Sequence, residues 1–431
     1  MTSSAVMLVA MLVAADPPSV QDREIPLAFL KQMKPNHGGD AIGSLGPAKQ
    51  AATNAGRAKA ANASSNVPAV DTIVNWSGSF TAPGFDRQGN PQSVWPFTMV
   101  GNSPESGHPS FINTPLIPVI LDLLLPDGTI FGSFDGRSFV QPLAQSPEFQ
   151  PFQYTSGVSQ FNDAMFRSEF ASRMKDQGWH TLLRPDPKGA HHMPVPFLTP
   201  NGTRAWFVFV DASQTPVLAA VDFDVFVSLL FPSTVPVDNS TLIGAAELAG
   251  EMTTKDLTSF VFHDVVLFEG GNVQNCCVLG FHSVDFEPGD PSNGNRDRLF
   301  VFDWASFLDP GLFFFGFQDI TPHSHEIAET FHDPFVNNAT PWWESVDLFT
   351  GSGLCQNNLE TGDVIEVLTS VPVYQVTLNG FVYHPQVEAQ FSWFAFESPS
   401  TASNGSYSFP DPTTLTSLSP HPLLPGCRPA N

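Results

Sequence analysis

The sequence predicts an α+β fold: a mixed, twisted sheet with one short helix packed on its face, preceded by a β-rich region. Three observations predict it. Phenylalanine (39) and proline (40) are abundant and tyrosine (4) is scarce, which suits short strands and rigid loops better than a helical bundle. Runs of β-branched and aromatic residues recur between turn residues such as Pro126, Asp127 and Gly128. One stretch, Asp319 to Pro334, carries the start and stop signals of a bounded helix. With 431 residues and 42% apolar content, the chain can bury a core as one elaborated domain or as two or three units.

Taken in order, residues 1–34 read as a signal-like segment and arm. The apolar run 5–15 has the length of a signal-peptide core and is too short to span a bilayer. The expected location is therefore secreted or periplasmic. No Lys or Arg precedes the run, so a clear basic n-region is missing, as expected of a truncated or wrongly assigned start. Residues 35–66, rich in Gly, Ala, Asn and Ser, read as a flexible linker, so order is expected to begin at Val67. Residues 67–255 form the β-rich region, with strands around Phe97–Val100, Ile117–Leu125 and Ile130–Phe134. Gln160–Asp176 reads as an amphipathic helix, with Phe161, Met165, Phe170 and Met174 on one side. His191, His192 and Met193 lie between prolines in a loop-like segment, where histidines are ordinarily solvated. Val217–Phe231 reads as strand or short helix, and Thr241–Met252 as helix.

Residues 256–431 form the site region, with no sharp boundary before it. Phe260–Phe268 and Val278–Phe286 read as adjacent strands joined through Cys276 and Cys277. His263 and His282 fall inside these strands, where a core histidine is the ordinary reading. Leu299–Phe307 leads into the site helix. Beyond it, Asp363–Val373 and Tyr374–Tyr383 read as a hairpin, and His384-Pro385 as the opening of a helix through Phe394. Neighbouring cysteines rarely bridge each other, so Cys276 and Cys277 are expected either to reach Cys355 and Cys427 or to remain thiols. The charge is −24, from 18 basic and 42 acidic residues, which argues against nucleic acid and anionic membrane surfaces as partners.

Within the helix, Thr321 can cap the first turn, Pro322 suits N1, and Pro334 stops the helix near His332. His325 and Glu329, at i and i+4, share one face about a turn apart, as two ligands of one ion require. Glu326 lies one step round, where the general base of a His-Glu-x-x-His metalloprotease lies. Here the motif is His-Glu-x-x-Glu. His332 lies roughly 10 Å along the axis from His325 and becomes a ligand only if the chain turns back. Asp333, at the break, is placed to support a ligand from behind. The acidic turn Cys355 to Asp363 offers Glu360 and Asp363 as a third ligand, and His384 is an outside candidate.

The stretches Ser324-His-Glu-Ile-Ala-Glu, Asp333-Pro-Phe-Val-Asn-Asn and Cys355-Gln-Asn-Asn-Leu-Glu-x-Gly-Asp363 resemble a group of uncharacterised secreted bacterial proteins with a zincin-like His-Glu-x-x-Glu motif. The resemblance runs from about Gln153 to Ser408, and includes Gln160 to Phe170, Asn275 to His282 and Tyr383 to Phe394. A weaker similarity, limited to His-Glu-x-x-Glu and a later Glu-x-x-Asp, extends to exordium-like (phosphate-induced) plant proteins. The resemblance implies a zincin-like, metallopeptidase-like scaffold using His325, Glu326, Glu329, Glu360 and Asp363.

The expected function is that of a zinc-dependent hydrolase acting on peptide or protein, with Glu326 accepting a proton from water. One histidine with two carboxylates loads more negative charge on the ion than two histidines would, so the activated water should be less acidic. The rival from another class is a non-catalytic binding or structural protein holding calcium, which prefers oxygen ligands, or no metal. A metal-free carbohydrate hydrolase using Glu326 and Glu360 is a third expectation.

Overall fold

The computed structural model describes residues 23–31, 50, 53–54, 57, 70–232, 239–291, 294–313, 316–346, 353–368 and 371–419. The run 5–15, most of 35–66 and Cys427 lie outside the described residues.

The strands, in chain order, are β1 (Glu24–Pro26), β2 (Asn75–Phe85), β3 (Pro91–Val100), β4 (Ser110–Leu124), β5 (Ile130–Asp135), β6 (Phe152–Tyr154), β7 (Gly157–Ser159), β8 (Thr181–Pro187), β9 (His191–Val195), β10 (Trp206–Val210) and β11 (Pro216–Asp222). They continue with β12 (Leu257–His263), β13 (Val265–Phe268), β14 (Cys276–Val278), β15 (Gly280–Glu287), β16 (Arg298–Phe307), β17 (Ala339–Val346), β18 (Gly353–Asn358), β19 (Val376–Leu378), β20 (Phe381–Tyr383), β21 (Glu388–Ala389) and β22 (Ser408–Phe409). With helices such as Phe161–Glu169, Phe223–Leu230, Leu242–Leu248 and the site helix Thr321–His332, this is an α+β arrangement.

One mixed sheet has the order β15-β16-β12-β4-β5, with β8 and β9 also paired to β4. β4 runs parallel to β8, β9 and β12, and β12 parallel to β16; β5 and β15 are antiparallel. The pairing of β4 with β12 carries the sheet across residue 255. A second sheet has the order β1-β10-β11-β13-β14. The two sheets enclose one apolar core that includes Val119, Leu121, Phe260, Phe302 and Trp304 from the first and Val208, Val221 and Leu267 from the second. The opposite face of the first sheet packs on the site helix through Ile327 and Phe331, with Trp95 and Phe97 of β3 in the same core.

Several sequence expectations change. Order begins before Val67, because β1 pairs with β10 and Leu30 is fully buried. The run Phe260–Phe268 is two strands in different sheets, since Asp264 takes a positive φ of 49° and turns the chain from one to the other. His191–Met193 is strand β9, not loop, because it pairs with the second half of β4. The hairpin lies only at β19–β20, and Asp363–Glu366 is one helical turn. No helix opens at Pro385: Tyr374 donates to its carbonyl and Val373 bridges to Gln386, so the segment is extended, and helix appears only at Phe391–Phe394.

The cysteine expectation is also corrected. Cys276 and Cys277 bond to each other. β14 sits at the edge of the second sheet, in a core with Val266 and Phe268, whereas Cys355 is on β18 of a separate hairpin. Cys355 is disulfide-bonded as well. Among the described residues no helix is long and apolar enough to cross a membrane.

Candidate metal centre

Strand alternation builds the floor of the site. Successive side chains point to opposite faces. On β16, Leu299, Val301 and Phe307 face the site helix while Phe300, Phe302 and Trp304 face the inter-sheet core. Asp303 therefore faces the helix. On β15, Val284 and Phe286 face the helix side, so His282 does too. The antiparallel register sets His282 opposite Asp303 and Gly280 opposite Ala305. Small residues stand where the helix crosses: a Cβ on Gly280 would lie 2.8 Å from Glu326 Cγ.

The helix ends at His332, as its sequence predicts, but Thr321 does not cap it. Its hydroxyl donates instead to the carbonyls of Gln318 and His384. His325, Glu326 and Glu329 all turn toward the sheet and are buried. His325 Nε2 lies 3.2 Å from Glu329 Oε1, and Glu329 Oε2 lies 3.5 Å from His282 Nδ1. Glu326 Oε2 is 3.7 Å from the same His282 nitrogen.

The acidic turn closes the site from the other side. Leu359 N–H donates to Asn338 O, seating the loop, and Ser345 Oγ donates to Val364 O. Gly362 N–H and Asp363 N–H both donate to Glu329 Oε1. Gly362 is required here: a Cβ would meet the His325 ring at 2.4–2.6 Å. Asp363 Oδ1 reaches 3.6 Å from His325 Nε2, and Glu360 Oε2 lies 3.8 Å from His282 Nε2. Gln386 locks His325 from behind. Its Nε2 donates to Gly362 O, so its Oε1 faces His325 Nδ1 at 3.3 Å and accepts that proton. His325 Nε2 is thereby aimed at Glu329 and Asp363, the arrangement of a metal-ligating histidine held by its other nitrogen.

The electrostatics are those of a crowded acidic pocket. Burial and the charge of Glu329 push Glu360 well above the usual carboxylate range. Burial raises Glu326 and takes Asp303 up to about 8. Burial alone would raise Glu329 too, but the charge of His325 and the contact with His282 outweigh it and hold Glu329 well below that range. Burial opposes charge on both imidazoles, yet Glu360 raises His282, and Glu329 with Glu326 raises His325, well above the ordinary histidine value.

Two triads of donor atoms meet the spacing a cation needs: His325, Glu329 and Asp363, and His282, Glu326 and Glu329. An ion about 2.1 Å from each of two donors holds them roughly 3–4 Å apart, so the residues fit a metal. His282 Nε2 and Glu360 Oε2 are buried without a hydrogen-bond partner among the described residues, which protein contacts alone leave costly.

The other candidates take different roles. His332 does not reach the cluster; its Nε2 lies 2.9 Å from Glu169 Oε2 and its Nδ1 faces Ala328 O. Asp333 accepts the N–H groups of Asn337 and Asn338 and fixes the reversal after the helix. His384 is 2.6 Å from Asp319 and braces the helix start. Sequence reasoning passed over Asp303 and Gln386 and took His282 as an ordinary core histidine. His282 and Asp303 both give a signal, a polar residue on the apolar side of a strand. His263 meets Asp264 and Asp309 in a separate, partly exposed group. An open groove of about 680 Å³, bordered by Asp71, Met252, Glu287 and Phe300, shares no residue with the cluster. No protein-family model, curated protein or solved structure compared with the chain matches it.

Proposed function

We propose that the chain is a secreted, metal-dependent hydrolase on a zincin-like scaffold, acting on peptide or protein, in keeping with the family that its motifs resemble. One observation carries the reading: the Glu360–Asp363 turn closes onto the face of the helix that presents His325 and Glu329. His325 Nε2, Glu329 Oε1 and Asp363 Oδ1 would hold the ion. When bound, the ion supplies a Lewis acid that lowers the pKa of a water and polarises a carbonyl. An imidazole among only three donors favours zinc over calcium, which takes six to eight oxygens. Glu326, one step round the helix, accepts the proton of the attacking water and returns it to the leaving group; burial, which raises its pKa, suits that exchange. Gln386 and Gly362 position His325.

The test is Glu326→Gln. The ion at His325 should remain while hydrolysis of an unfolded protein substrate falls by about 100-fold or more. Undiminished hydrolysis would remove Glu326 from this role. A second reading, a closed structural metal site without catalysis, draws on burial: none of His282, His325, Glu326, Glu329, Glu360 and Asp363 exceeds 7% exposure. Chelation separates the two. A large loss of thermal stability with no hydrolysis at any stage favours the structural site.

A further inference from the structure

The ion at His325 leaves half of the cluster unused. The two oxygens of Glu329 serve different partners: Oε1 lies 3.2 Å from His325 Nε2, and Oε2 lies 3.5 Å from His282 Nδ1. His282 Nδ1 is also 3.7 Å from Glu326 Oε2. The two His282 separations are longer than ordinary hydrogen bonds, and all three match donors spanned by one cation. On the far side of the ring, His282 Nε2 faces Glu360 Oε2 at 3.8 Å, and neither atom has a hydrogen-bond partner among the described residues. Both residues are more than nine-tenths buried. A carboxylate behind the distal nitrogen is how a metal-ligating histidine is oriented.

Charge points the same way. Glu326, Glu329, Glu360, Asp363, Asp303 and Asp333 are all buried around the cluster, with His282 and His325 as the imidazoles among them. Each carboxylate that ionises there needs a partner, and the His325 seat provides for only two of them, Glu329 and Asp363, while unpaired charges buried in protein are costly.

We propose that the site is a two-cation centre in which the Glu329 carboxylate bridges. The second seat is His282 Nδ1, Glu326 Oε2 and Glu329 Oε2, with Glu360 orienting His282. Its donor set of one imidazole and two carboxylates suits a divalent transition ion such as Zn²⁺ or Mn²⁺. The inference rests on the reading that the His325 seat binds an ion. With the second seat filled, Glu326 binds through Oε2 and keeps Oε1 for the proton of the water, so Glu326→Gln empties that seat and leaves the His325 seat loaded.

The experiment is metal stoichiometry on the full chain, stripped by chelator, reloaded with Zn²⁺ or Mn²⁺ and dialysed. Elemental analysis should give about two ions per chain, and the Mn²⁺ form an exchange-coupled spin-resonance spectrum, as for ions about 3.5–4 Å apart. His282→Ala, or His282→Gln if alanine does not fold, should lower the count to about one and restore an isolated-ion spectrum. A single uncoupled ion in the unaltered protein, lost in His325→Ala and kept in His282→Ala, overturns this inference and leaves the proposed function standing. No ion retained by the unaltered protein overturns both.

Discussion

At the scale of the residue, the site depends on two groups that touch no substrate. Gly362 leaves room for the His325 ring, and a methyl there would sit 2.4 Å from its Nδ1. Gly362→Ala should therefore weaken cation binding by about 10–100-fold, measured by competition with a metal indicator, since the ring must shift off its aim. Gln386 acts through hydrogen bonds instead, accepting from His325 Nδ1 and donating to Gly362 O. Gln386→Leu should weaken binding by a similar factor while leaving the fold intact by circular dichroism. An unchanged affinity in both variants would mean that His325 is held by packing alone.

The site helix is tied down twice at its His332 end, and each tie makes a prediction. Asn338 exchanges hydrogen bonds with the Thr98 backbone on β3 and donates to His332 O at the helix end. Asn338→Ala leaves those buried groups unpaired and should cost roughly 1–3 kcal/mol in urea unfolding. His332 pairs with Glu169 across to the Phe161–Glu169 helix. Burial pulls the His332 pKa down, but the Glu169 carboxylate and the Ala328 carbonyl raise it above the ordinary value. A raised folded-state pKa means that folding takes up a proton above about pH 6.5. The pair therefore stabilises fully below about pH 6.5 and loses its contribution as pH rises through the folded-state pKa. Glu169→Gln should cost roughly 3–5 kcal/mol at pH 6 and markedly less at pH 9. A cost independent of pH would show that His332 does not change its charge between pH 6 and 9.

For the whole molecule, the sheet is the unit that cannot be divided. β4 pairs with β12, and β12 with β16, so the strands before residue 255 lack their neighbours without those after it. A fragment of residues 67–255 should show no fixed near-ultraviolet signal, whereas a cooperative unfolding transition of that fragment would establish an independent domain. The proposed cation would also make stability depend on its concentration. At an ion concentration of about 100 times Kd, binding should add about 2.7 kcal/mol, read as a rise in Tm that chelator reverses.

The sequence by itself determined the local part of this protein. Helix geometry places His325 and Glu329 one turn apart whatever surrounds them, and Pro334 ends the helix near His332. The strands around Phe97, Ile117, Ile130 and Leu299 were legible for the same reason, because a period of two needs only neighbours in the chain. The tertiary structure decided the rest. His282 and Asp303 meet only because β15 and β16 pair in one register, and a slip of one residue in either strand would turn its side chain away from the helix. Gln386 reaches His325 because the segment after Tyr383 is pinned in extended form rather than helix. Cys276 lies in a different core from the β17–β18 hairpin that carries Cys355. Such contacts join residues far apart in the chain, so their energies depend on packing that no local rule in the sequence encodes.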